Sequence, residues 1–105
     1  MKSFTLSDEK DDIEAGKNHA EFIRTTDMSV EVMRYSVDDE DPMHSHDVEE
    51  VYYIDSGSAS INVEGDVTEL SEGDVIHVRP DETHRFQDFV EELIVLGFYA
   101  PATKE

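Results

Sequence analysis

From residue 19 to residue 99 apolar and polar side chains alternate in short runs, and clusters of acids, glycine or proline break the runs. A period of two marks a strand with one buried face. The spacing therefore predicts strands over 19–25, 28–37, 58–63, 67–70, 75–79, 84–88 and 93–99, with another within 44–57. Asp38-Asp39-Glu40-Asp41-Pro42, Glu64-Gly65-Asp66 and Ser71-Glu72-Gly73-Asp74 carry the turn chemistry between them. Residues 1–18 hold Phe4 and Leu6 in alternation and then a run of acids, which predicts a short edge strand or tethered arm followed by an acidic loop. No stretch reads as a convincing helix. The expectation is an all-β protein, an antiparallel sandwich or barrel of about nine short strands.

Composition narrows this picture. A chain of 105 residues has room for one domain with one core. The absence of cysteine excludes disulfides and thiolate metal sites, so any metal must be held by nitrogen and oxygen. No apolar run approaches the ~20 residues of a membrane span, and the N-terminus lacks the apolar centre of a secretory signal, so a soluble cytoplasmic protein is expected. The net charge of -19, from 27 acidic against 8 basic residues, argues against nucleic acid and anionic membranes as partners. Such an acid-covered surface fits a halophilic setting, where salt screens the self-repulsion. It predicts a melting temperature that rises with added KCl; a salt-independent one would remove the idea.

The chemistry concentrates in His44-Ser-His46-Asp-Val-Glu-Glu50-Val-Tyr52-Tyr-Ile54-Asp-Ser-Gly57. On an unbroken strand His44, His46, Glu50, Tyr52 and Ile54 share one face and Glu49 takes the other. Imidazoles at i and i+2 cannot share a helix face, but on a strand they stand side by side and can converge on one ion, with Glu50 adding an anionic oxygen. His84 is the best further ligand from elsewhere in the chain: it follows a turn, opens a strand and shares its face with Phe86.

At these residues the chain resembles the cupin family. His44, His46, Glu50 and Gly57 fall on the His-x-His, Glu and closing Gly positions of the family's first motif, here 38–57, and Gly73 and His84 fall on the second, here 73–88. Asp38 stands for the leading glycine of the first motif. Arg79, Asp81 and Asp88 stand for the Pro, Gly and Asn of the second. None of these departures is a ligand position. Aspartate tolerates left-handed backbone and Pro80 stiffens the turn, so His84 is expected to be delivered correctly. The resemblance implies a single cupin domain over 1–105 with a double-stranded β-helix fold, and a homodimer. It also implies one divalent transition metal ion held by His44, His46, Glu50 and His84, with Fe, Mn, Zn, Ni and Cu all open.

Around that centre Met33, Ile54 and Phe86 are candidate walls of a small-molecule pocket, or else plain core. Tyr52 is a candidate proton carrier or hydrogen-bond donor, or a core residue whose hydroxyl finds a partner. Arg34 either reaches into the cavity or leaves its head in water at a strand end. His77 reads as packing or hydrogen bonding, and His19 as surface. Val51 and Tyr53 point away from the ligands, so a further layer or subunit should cover them. Two function classes follow: a metal-dependent enzyme of oxygenase, isomerase or decarboxylase type, or a non-catalytic binder or sensor of a small molecule. No acid–base dyad stands out beyond the ligands.

Overall fold

The computed structural model describes residues 1–103. Among the described residues eight strands run β1 (His19–Arg24), β2 (Ser29–Tyr35), β3 (Glu49–Ser56), β4 (Ala59–Val63), β5 (Asp66–Leu70), β6 (Val75–Val78), β7 (His84–Gln87) and β8 (Leu93–Ala100). All pairings are antiparallel, in a five-stranded sheet of order β1-β2-β8-β3-β6 and a three-stranded sheet of order β5-β4-β7. The inner faces meet in one core that includes Tyr35, Tyr52, Ile54, Ile61, Leu70, Phe86, Leu93 and Val95. The expected all-β antiparallel architecture is what the chain forms.

Two sequence expectations are corrected. Leu6–Asp11 is a short α-helix, α1, where an edge strand or arm and then an acidic loop were expected. Six residues are too few to display a helical period. The segment coils because Asp8 and Glu9 in its first turn favour the positive end of the amide dipole, with Lys10 in the last turn. Leu6 then packs with Phe22 and Ala20 on a small cluster of Ile13, Val32 and Ile94, covering the outer face of β1, β2 and β8.

Residues 44–57 are not one continuous strand either. β3 begins only at Glu49, after a bend at Asp47 and Val48. Upstream, His44 pairs with His84 of the other sheet: His44 N–H donates to His84 O at 3.0 Å and His84 N–H to His44 O at 2.8 Å. Asp81 N–H donates to His46 O at 2.7 Å. The chain crosses from one sheet to the other here, so an unbroken pleat is impossible. That crossing sets the His44 ring beside His84 and the His46 ring beside Glu50.

Left-handed backbone shapes the connections between strands. Asp81 (φ 67°) and Asp88 (φ 54°) adopt left-handed backbone, a state aspartate reaches at low steric cost. Gly57 has φ 92°, and a Cβ there would lie 2.1 Å from the carbonyl oxygen of Glu92, so only glycine fits.

Candidate functional site

Register along the inner face of the larger sheet lays out the site. One row across the strands is Ser29, Tyr99, Glu50 and Val78, and the next is Glu31, Gly97, Tyr52 and Ile76. Beyond them Met33, Val95 and Ile54, then Tyr35 and Leu93, make the apolar end. Polar side chains thus gather at one end of the sandwich. There they line a cavity of about 470 Å³ whose wall includes Glu31, Met33, His44, His46, Tyr52 and Tyr99.

The four residues expected as ligands come together. His44 and His84 ring centres are 4.4 Å apart, His44 and His46 5.3 Å, and His46 and His84 6.1 Å. Glu50 Oε1 lies 3.5 Å from His84 Nε2 and 3.7 Å from His46 Nε2. Glu50 and His84 are fully buried. His44 Nδ1 faces the Pro42 carbonyl oxygen at 2.7 Å, and His84 Nδ1 faces that of Glu82 at 2.9 Å. A carbonyl only accepts, so both Nδ1 atoms carry the proton and both Nε2 atoms are left to the interior.

Tyr52 completes the arrangement. Its hydroxyl donates to Glu50 Oε1 at 2.7 Å and lies 3.1 Å from His84 Nε2. With the phenol proton on Glu50, the contact to His84 is a bond only if Nε2–H donates to the phenol oxygen, which requires an imidazolium. Burial alone would lower the His84 pKa, but its bonds to Glu50 and the Glu82 carbonyl, with the charges of Glu50 and Asp41, outweigh it and the value is raised. Burial drives the Tyr52 hydroxyl the same way, so it stays protonated. Glu50 Oε2 is buried and has no hydrogen-bond partner among the described residues. Among the described residues no group of three or more His, Asp or Glu donors is drawn up to the geometry of a bound ion.

The pocket candidates divide. Met33, Tyr52 and Phe86 line the cavity. Ile54, fully buried, lies deeper in the core and does not line it. Arg34 is also absent from the wall, because its neighbour Met33 faces the cavity and alternation turns Arg34 to the other side. His77 makes an exposed contact with Glu49, Nε2 to Oε1 at 2.8 Å. His19, exposed as expected, also forms part of the cavity rim.

Three residues were missed. Asp41, read only as a turn residue, is 8% exposed and takes the Phe86 N–H on Oδ2 at 2.9 Å, pinning the segment before His44 to β7. Burial raises its pKa. Nothing in four consecutive acidic turn positions singles it out. Tyr99 donates its hydroxyl to Glu31 Oε1 at 2.6 Å. Burial raises the pKa of Glu31 and the Tyr99 bond opposes this. A signal for Glu31 did exist: it has the parity of Met33 and Tyr35, so it is an acid on a face that must point inward.

Comparison with known proteins agrees with the geometry. The cupin domain model matches residues 31–95, so the chain belongs to the cupin family. An uncharacterized protein of Streptomyces coelicolor is 33% identical over 106 residues, covering 96% of this chain and 97% of that protein. Among solved structures, an uncharacterized double-stranded β-helix protein from Klebsiella pneumoniae superposes with a TM-score of 0.82 at 22% identity, over 100% of this chain and 98% of that one. An RmlC-like cupin from Shewanella frigidimarina gives 0.77 at 21% identity, over 86% and 82%. KdgF from a Halomonas species gives 0.76 at 20%, over 86% and 83%. These structures share the fold with this chain.

Proposed function

We propose that His44, His46, Glu50 and His84 hold one divalent transition metal ion, and that the protein is a metal-dependent enzyme of oxygenase or isomerase type acting on a small molecule. Glu50 carries this reading. It is a fully buried carboxylate with one unpartnered oxygen, surrounded by imidazoles, two of which have their free nitrogens turned inward by backbone carbonyls. A buried anion in that state calls for a cation. Without an ion, the raised His84 pKa favours a proton there in its place. Because the Nε2 lone pair serves either a proton or a metal, loading the site requires His84 to give up its bond to Tyr52.

Imidazole and carboxylate donors suit Fe, Mn, Zn, Ni or Cu, and such an ion supplies Lewis acidity and, where it is redox-active, electron transfer. The chain's own residues do the rest. Pro42 and Glu82 carbonyls fix two rings, Met33 and Phe86 form apolar wall that limits water, and Tyr52 keeps a phenolic proton at the floor of the cavity. Elemental analysis of protein purified without added metal tests the reading: about one ion per chain is expected, lost in Glu50→Ala and His84→Ala. A wild-type protein that stays metal-free under saturating Mn, Fe, Ni, Cu and Zn would overturn it.

One observation favours a second reading, small-molecule binding or sensing without turnover. The Tyr52 hydroxyl is already engaged by Glu50 and His84, so it is not free to serve as an acid or base for a substrate. Stoichiometric ligand binding with no product would support the sensor, and metal-dependent oxygen consumption the oxygenase. In either case a second copy of the chain is a fitting partner. On the outer face Val51 and Tyr53 are only half-buried and Val75 is 65% exposed, beyond the reach of the N-terminal cover. Light scattering at 12.0 kDa, the mass of one chain, would exclude the dimer.

A further inference from the structure

The cavity contains a second carboxyl–phenol pair that the metal centre does not use. Glu31 and Tyr52 flank Gly97 in one row of the sheet. Gly97 leaves open the space that the Tyr99 ring leans across: a Cβ there would meet Tyr99 Oη at 2.9 Å and Met33 Cε at 3.1 Å. The ring therefore reaches over Gly97 and donates to Glu31 Oε1 at 2.6 Å, standing edge-on to Tyr52 with centroids 6.2 Å apart. This bond holds the carboxyl in one position on the cavity wall and satisfies only one of its oxygens.

The charges of His19 and His46 act on Glu31 through space, but neither ring bonds it. At the rim, Lys17 Nζ pairs with Glu14 at 3.6 Å and the His19 ring bonds Asn18 at 3.0 Å. Among the described residues Glu31 forms no ion pair. A half-buried carboxylate, oriented by a phenol and open on one side to a cavity, is an acceptor for a donor group brought by a ligand.

We infer that Glu31 and Tyr99 form the recognition pole of the cavity, binding an ammonium or hydroxyl group at one end of a small polar ligand whose other end reaches the metal centre. The ligand class is a neutral or cationic polyol or amino alcohol, and an acid is disfavoured at this pole. The far end of the ligand rests on the metal reading given above. The pole itself does not.

The test uses the full chain, wild type and Glu31→Gln, loaded with Co²⁺ and read by its visible spectrum and by calorimetry. The probes are 3-amino-1,2-propanediol, glycerol and glycerate. Glu31→Gln should bind Co²⁺ within about twofold of wild type, bind the amino diol about tenfold or more weakly, and bind glycerate no worse or better, since only the charge-assisted contact is lost. Tyr99→Phe should lose part of the preference for the amine. Equal probe affinities in wild type and Glu31→Gln, or no probe binding to the Co²⁺-loaded wild type, would overturn the pole while leaving the metal centre standing.

If wild type fails to bind Co²⁺, and Mn, Fe, Ni, Cu and Zn as well, the metal reading fails instead, and NMR titration of the metal-free protein with 3-amino-1,2-propanediol decides the pole. Shifts at Glu31 and Tyr99 that vanish in Glu31→Gln sustain it. Their absence removes it.

Discussion

Glu50 and Glu31 lie in neighbouring rows of one sheet, and each accepts a hydrogen bond from a tyrosine hydroxyl, at 2.7 and 2.6 Å. They differ in enclosure. Glu50 is shut away from solvent with imidazoles on several sides and an oxygen that nothing satisfies, whereas Glu31 stands on the wall with its second oxygen toward open space. The same chemical pair therefore takes different roles. In the closed site the carboxylate needs a resident positive charge, a proton or an ion. On the open wall it can wait for a ligand, because water satisfies it meanwhile.

The sharpest break in this comparison is at the metal. Glu50→Ala should weaken metal binding by more than the roughly 10–100-fold that loss of an outer-sphere partner costs, while Glu31→Ala leaves it unchanged; chelator competition measures both. Equal losses would mean that the two carboxylates belong to one site. Next in size is Gly97→Ala, which fills the space beneath Tyr99 and should destabilise by roughly 1–3 kcal/mol in urea unfolding while displacing the ring from Glu31.

The phenols should separate the pairs further. In metal-free protein, Tyr52→Phe leaves a buried acceptor bare and should cost about 1–3 kcal/mol. Tyr99→Phe should cost less, about 1 kcal/mol or under, since water can replace its hydroxyl at Glu31. Unfolding curves of the two variants, with and without metal, would show whether enclosure sets the difference.

The smallest effect is in pH. His84 has a folded pKa raised above 6.5, so the stability it contributes to the metal-free protein is fully present below pH 6.5 and is lost as pH rises through the higher folded value. Glu31 is raised above 4.5 by burial, so its contribution has the same sign but begins to fall at lower pH, together with that of Asp41, raised above 3.8. The urea midpoint of metal-free protein should decline in two stages. Glu31→Gln should shrink the first, and bound metal should abolish the second by taking the place of the His84 proton.

How much of this could be read from the residues in order depends on sequence distance. Glu50 and Tyr52 are neighbours on one face of one strand, so alternation alone pairs them. Their meeting with His44, His46 and His84 was foreseen through spacing and through the cupin motifs. The way they meet was not, because the chain leaves the strand at Asp47 and Val48 and pairs His44 with the other sheet. Arg34 shows that the parity of Met33 was the better guide: one residue of offset put it outside the cavity.

What the order of residues determined by itself was every feature that repeats over a few positions: the strands after residue 18, the turns, the inward parity of Glu50, Tyr52 and Met33, and a donor set without sulfur. Tertiary structure alone decided the partnership of Glu31 with Tyr99, 68 residues away, and the tie from Asp41 to Phe86. Local alternation says which face a side chain takes. Which side chains then meet depends on strand order and register between distant segments, and those are set by burying the whole core at once.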